Sequence, residues 1–204
     1  MSDDSDKSFE RRAGLTLALL AAVLAVNDLA GGKYGDDEII GTNEKANTYA
    51  WYQSKSIKES LAENHLATLE ALLQTGSLTP EGRASIEQKA AETRAEVARY
   101  GKEKKEITKG SAGVGPEGQV LEIGGQKGQV KGTDEWTAEL TVLSAAGDQF
   151  DMATLFLQIC LVLGAVSLVL EEQRLKELFY WSMVGLGAAG GVYLGLAMRT
   201  VGMF

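Results

Sequence analysis

Long apolar runs alternate with long polar ones along this chain, and the apolar runs set its organisation. Residues 152–170 and 178–198 are each about long enough to cross a bilayer core as a helix, at roughly 1.5 Å per residue. The hydrophilic link 171–177 joins them into a hairpin. A third apolar run, 13–30, follows Arg11 and Arg12. The pattern predicts an all-α membrane protein with three transmembrane helices, at 13–30, 152–170 and 178–198. Residues 1–12 read as an acidic flexible tail, with Asp3, Asp4 and Asp6 in a stretch that has no periodicity.

The polar middle, 31–151, reads as an extramembrane helical domain. Residues 31–42 are a glycine- and acid-rich connection. A helix over 43–75 places Ala46, Ala50, Ile57, Leu61, Leu69 and Leu72 on one broad apolar face, with His65 among them. On such a face a lone histidine is expected to be packed and hydrogen-bonded, and no second metal ligand lies at a useful spacing. Gly76 is placed to end this helix, and Thr79-Pro80 supplies an N-cap and a first-turn proline for the next, over 80–109. There Ile86, Ala90, Thr93, Val97, Tyr100, Lys104 and Ile107 recur at alternating spacings of four and three, which is heptad spacing. The two helices are therefore expected to form an antiparallel coiled-coil hairpin with charged outer faces.

Glycines crowd residues 110–132, with only Val120, Leu121, Ile123 and Val130 to bury. This Gly-rich loop lacks the lysine-serine pair and the preceding strand of a phosphate loop. It reads either as a flexible loop or as a small β-hairpin turning at Gly124-Gly125 and touching a partner. Thr133 is placed to cap a further helix over 133–147, with Asp134 and Glu135 at its positive end and Trp136, Leu140 and Leu143 as its apolar stripe. That helix either breaks at Gly147-Asp148 or runs on into the second span.

Basic residues suggest an orientation. Lys7, Arg11 and Arg12 precede the first span, and Arg174 and Lys176 lie in the link between the other two. Three spans put both groups on one side, so the positive-inside tendency places the N-terminus in the cytoplasm of a bacterial inner membrane and the helical domain in the periplasm. Arg199 weighs mildly against this. The first run has a basic flank like that of a signal peptide, but Asp28 spoils the cleavage site before Ala30, so an uncleaved anchor is expected. Asn27 and Asp28 either mark an interfacial helix end or contact another membrane subunit.

Within the spans, Gln158 is the strongly polar residue of the second and is expected to face another helix. Gly187, Gly191 and Gly195 recur every four residues in the third, a small-residue ridge suited to packing inside the three-helix unit or against another chain. Phe179, Tyr180 and Trp181 form an aromatic belt.

The net charge of −8 argues against nucleic-acid binding. The one cysteine, Cys160, allows no internal disulfide. With one histidine and no cysteine outside the spans, histidine- and thiol-dependent catalysis is not expected, and no cofactor or metal site is read.

Trp51-Tyr52-Gln53-Ser54-Lys55-Ser56-Ile57-Lys58, Asp148-Gln149-Phe150-Asp151 and Leu178-Phe179-Tyr180-Trp181 together resemble the signature stretches of the bacterial DUF4337 membrane proteins. The order of span, charged helical region and two spans is similar too, and only 110–132 departs from it. That family has no established activity, so the resemblance implies architecture and leaves chemistry open. Trp51, Tyr52, Lys55 and Lys58 are then candidate packing or interaction residues, with Trp51 and Tyr52 either interfacial anchors or core residues. The function expected is non-catalytic: an accessory subunit that packs, among membrane lipids, on a larger membrane complex such as a respiratory or photosynthetic one. The alternatives are a self-associating envelope protein or, less readily, a small homo-oligomeric channel or transporter component.

Overall fold

The computed structural model describes residues 2–75 and 78–203. Its elements in order are α1 (Ser2–Gln74), α2 (Pro80–Val114), a short 3-10 turn (Pro116–Gly118), β1 (Glu122–Ile123), β2 (Gln126–Lys127), α3 (Thr133–Val169) and α4 (Gln173–Thr200). Three of these helices, α1, α3 and α4, are long and apolar enough to cross a membrane, and the protein is a membrane protein on that ground. Gly76, the expected stop of the first polar helix, lies outside the described residues.

The chain divides into two compact units. One comprises residues 1–40 and 140–204, the other residues 41–139. Helix α1 contributes to both, and this corrects the expectation of a tail, a span, a connection and a separate helix. Its sheltered positions explain the continuity. Phe9, Ala13, Thr16, Leu20, Val23, Asn27, Ala30 and Tyr34 are buried or half-buried and follow one another at spacings of four and three. After a second step of four to Glu38, threes and fours alternate again through Gly41, Lys45, Thr48, Tyr52, Lys55, Glu59, Ala62, Leu66 and Leu69. The glycines and acids of 31–42 therefore sit within one continuous helix, and Phe9 draws the predicted tail into it.

In the first unit the three apolar helices pack through contacts between glycine and larger side chains. A Cβ at Gly187 would lie 2.5 Å from Leu20 Cδ2, and one at Gly190 would lie 2.7 Å from Leu157 Cγ. One at Gly164 would meet Met183 Sδ at 2.5 Å. Leu157, Cys160 and Met183 form a buried cluster in the middle of the unit, and Ala146, Phe150, Ala153, Leu194 and Ala197 form another. Phe9 meets Tyr180 edge-on at 5.7 Å, so the N-terminal ends of α1 and α4 lie together.

In the second unit α1 and α2 are tied by ion pairs. Lys55 meets Glu103 at 2.6 Å, Glu59 meets Lys104, and Glu70 meets Arg94 at 2.7 Å. From Glu59–Lys104 to Glu70–Arg94 the number rises on α1 by 11 and falls on α2 by 10, so the two run in opposite directions. Ile107, Leu121 and Val130 make the buried apolar cluster, with Trp51, Tyr52 and Val120 against it. Of the apolar face expected on α1, Leu69 is buried, but Ile57 and Leu61 are 62% and 64% exposed, and His65 is exposed as well. The packed face instead carries Lys55 and Glu59, which find charged partners on α2.

Candidate interaction sites

The glycine-rich stretch is built around a carboxylate. Glu106 on α2 is fully buried. Its Oε1 accepts from Ser111 Oγ at 2.7 Å, and its Oε2 accepts from the backbone N–H groups of Val120 and Leu121 at 2.8 and 2.9 Å. Ser111 Oγ in turn accepts from Val130 N at 3.0 Å, and Ser111 N donates to Val130 O at 2.8 Å. Three donors satisfy a charge that would be costly to bury alone. Between these anchors β1 and β2 pair antiparallel, Glu122 with Lys127 and Ile123 with Gln126. Gly124 and Gly125 both take positive φ, as a tight two-residue hairpin turn requires.

Two further glycines close this module. α2 is kinked at Gly110, where φ is +79°, and a Cβ at Gly132 would fall 2.1 Å from Gly110 N. Gly132 must lack a side chain for the backbones to meet there, while Gly110 is required by its positive φ and by the Glu135 carboxylate lying against it. The expected role of Thr133 as a cap is replaced by another arrangement. Its hydroxyl donates to Thr108 O at 3.3 Å, while Glu135 Oε2 accepts from Gly132 N at 2.8 Å at the start of α3. α3 then runs through Gly147-Asp148 without a break.

Within the signature stretch 51–58, Trp51, Tyr52 and Lys55 turn toward this unit's interior. Trp51 and Tyr52 pack on the Ile107 cluster, so they are core residues. Lys55 is paired with Glu103 and lies 5.9 Å from the Tyr100 ring centroid. Lys104 lies 5.7 Å from the ring centroid of Tyr52. Its ammonium is held above the ordinary lysine value of 10.5, first by its hydrogen bond to Glu59, against a smaller opposing effect of burial. Lys58, by contrast, is exposed. Beside this cluster a cleft of about 280 Å³ is lined by Trp51, Trp136, Lys131 and Glu44 among others, and the Lys131 ammonium sits 3.5 Å from the Trp136 ring centroid.

In the first unit the candidate packing residues separate. Gly187 is buried against α1, whereas Gly191 and Gly195 are exposed, with nothing within 4 Å of an added Cβ. The helix places Met183, Gly187, Gly190, Leu194 and Ala197 inward, so the every-fourth-residue ridge drifts from the buried face to the outer one. Gln158 is also exposed, beside the apolar surface of Leu155, Ile159 and Val162.

Asn27 is fully buried and reaches α3 of its own chain, while Asp28 beside it is exposed. Its Nδ2 donates to Phe150 O at 3.2 Å and to Thr154 Oγ1 at 2.7 Å. The Thr154 hydroxyl donates on to Asp28 Oδ1 at 3.4 Å. These residues border a cleft of about 390 Å³, completed by Gly31, Gly32, Gly35, Glu38, Gly147 and Asp151. Asn27 and Asp28 stood out in the sequence. The glycines that hollow out the cleft did not, because they read as a break in the helix. Glu106 was likewise hidden among the many charges of α2. No group of three or more histidine, cysteine or carboxylate side chains suited to a metal occurs among the described residues.

The model of a family described as a domain of unknown function, DUF4337, matches residues 9–200, and the chain belongs to that family. No curated protein and no solved structure matches the chain.

Proposed function

We propose that this DUF4337 protein is a structural subunit without chemistry of its own, whose spans pack on a larger membrane protein complex. The observation that carries this reading is the outer surface of the first unit, where Gln158 on α3 and Gly191 and Gly195 on α4 are exposed within apolar segments. In a bilayer an amide gains by pairing across helices, and glycines let a neighbouring backbone approach closely. Both features are costly or useless against lipid tails and useful against another helix.

Residues 41–139 are then an extramembrane, coiled-coil-like helical domain. Basic residues support its orientation: Lys7, Arg11 and Arg12 lie on the end of α1 that meets α4, whose start carries Arg174 and Lys176. With this basic end in the cytoplasm of a bacterial inner membrane, the helical domain is periplasmic. The exposed Ile57 and Leu61 favour a second reading, an envelope protein whose α1 helices pair between copies.

A tagged full-length chain, extracted in gentle detergent and run on a native gel with mass spectrometry, tests both. Co-migration with one large complex at fixed stoichiometry, weakened by Q158L with G191L, is the expected result. A band holding only this chain overturns the subunit reading, and its loss on Ile57→Ser substitution would favour self-association.

A further inference from the structure

The cleft beside Asn27 has the chemistry of a cation site of a particular kind. Its lining carries three carboxylates, Asp28, Glu38 and Asp151, and no basic side chain. Lys33, close by in sequence, lies over the Tyr34 ring at 5.3 Å from its centroid. Charge alone would not define a site. The second observation is Asn27, which lines the cleft and is fully buried. Its Nδ2 is committed to Phe150 O and Thr154 Oγ1, while Oδ1 is a buried acceptor with no hydrogen-bond partner among the described residues. An acceptor left in that condition costs free energy until a donor reaches it.

Size and donor set narrow the class of ligand. A space of about 390 Å³ is far larger than a bare ion needs, and the carboxylates do not form a metal-holding group. Gly32 and Gly35 leave one wall open, with nothing within 4 Å of an added Cβ at either. Phe150, stacked on Tyr34 at 5.8 Å, supplies an aromatic surface. A primary ammonium fits this combination. It brings three N–H donors on an apolar stem, able to meet the Asn27 oxygen and two carboxylates together. We propose that this glycine-walled cleft binds a primary ammonium group through Asn27, Asp28 and Asp151. The group has two chemical sources, the ethanolamine headgroup of a phospholipid and a soluble amine.

The test uses the full-length chain in an amine-free detergent, with lipids of matched acyl chains added and retention read by native mass spectrometry. Phosphatidylethanolamine should be retained one per chain, at least about tenfold more strongly than phosphatidylcholine or phosphatidylglycerol, or else putrescine should bind one per chain. That tenfold corresponds to the loss of one charge-assisted hydrogen bond. Ethanolamine lipid held against millimolar putrescine assigns the lipid as the source, and displacement by putrescine assigns a soluble amine. D28N with D151N should weaken retention by a further factor of about ten. G35L supplies an independent variant: it points a side chain into open space on a helix, so it should block the cleft while leaving thermal unfolding unchanged. Equal retention of the three lipids with no binding of putrescine overturns the proposal. So does retention indifferent to G35L in folded protein, or magnesium displacing the amine at lower concentration than putrescine does.

Discussion

The two units use the same four-and-three spacing on α1 and fill it with opposite chemistry. In the first unit the inward positions are mostly apolar or small, from Phe9, Ala13 and Leu20 to Val23 and Ala30, and Leu20 is seated on Gly187 of α4. In the second the inward positions include Lys55 and Glu59, matched to Glu103 and Lys104 on α2. With residues 41–139 outside the membrane, as proposed, the difference follows the solvent. Among apolar helices in lipid, burying leucine gains little over leaving it in hydrocarbon, so close packing decides which faces meet. In water apolar burial is available but is scarce on these faces, so ion pairs and one satisfied buried carboxylate select the register. A heptad pattern thus identifies a packed face without saying what packs there.

The largest effect that would break this comparison is expected at Glu106. Glu106→Ala leaves the Val120 and Leu121 N–H groups unpaired and should cost the second unit about 3–5 kcal/mol. Hydrogen exchange should show protection lost over 115–131 and retained in α3 and α4. Protection unchanged over 115–131 would mean the carboxylate does not organise the hairpin.

Next in size is a pair of neighbouring glycines. Gly190→Leu drives a side chain into Leu157 and should destabilise the first unit by about 1–3 kcal/mol, read as an earlier thermal transition in detergent. Gly191→Leu, one residue on, should leave that transition in place. Equal losses at both would mean the outer face is packed after all.

A smaller effect concerns pH. The Lys104 pKa is raised above 10.5 in the folded chain, first by Glu59, so the folded state holds that proton more tightly than the unfolded chain. The contribution is therefore full below about pH 10.5 and is lost as pH rises through the raised value. Lys104→Met should flatten part of the alkaline loss of stability, by about 1 kcal/mol for this half-buried surface pair. An unchanged alkaline profile would remove Lys104 from the account. The smallest change is expected at exposed His65, where His65→Ala should stay within about 0.5 kcal/mol. A larger loss in chemical denaturation would reinstate it as a packed residue.

What the sequence disclosed differs between the two helices of the second unit. On α2 a single stripe recurs at heptad spacing, and Ile86, Ala90, Thr93, Val97, Tyr100, Lys104 and Ile107 are all buried or half-buried. On α1 two stripes compete. The more apolar one, through Ile57 and Leu61, is exposed, while a polar one is inward because its charges have partners on α2. Hydropathy cannot rank a face whose stabilisation comes from a second helix's charges. The turn at Gly124-Gly125 was readable from residue type. The clamp that orders it was not, since nothing local distinguishes Glu106 from the other acids of α2. At 31–42 the glycines suggested a break, but sheltered positions at every seventh residue from Ala13 to Leu69 run through them. The cleft beside Asn27 needed α3 beside α1 before Asp151 and Asp28 could be seen to share it.

The Glu106 clamp also has a consequence for the order in which the chain takes shape during synthesis. Its contacts reach Ser111, Val120 and Leu121, separated by 5 to 15 residues, and the Thr108–Thr133 bond closes over 25. Short loops close quickly and at small entropic cost. The bond from Asn27 to Phe150 spans 123 residues and waits until most of the chain has emerged. The glycine-rich module is thus equipped to form while α3 is still being translated, presenting a finished hairpin before the first span has met the helix it packs on.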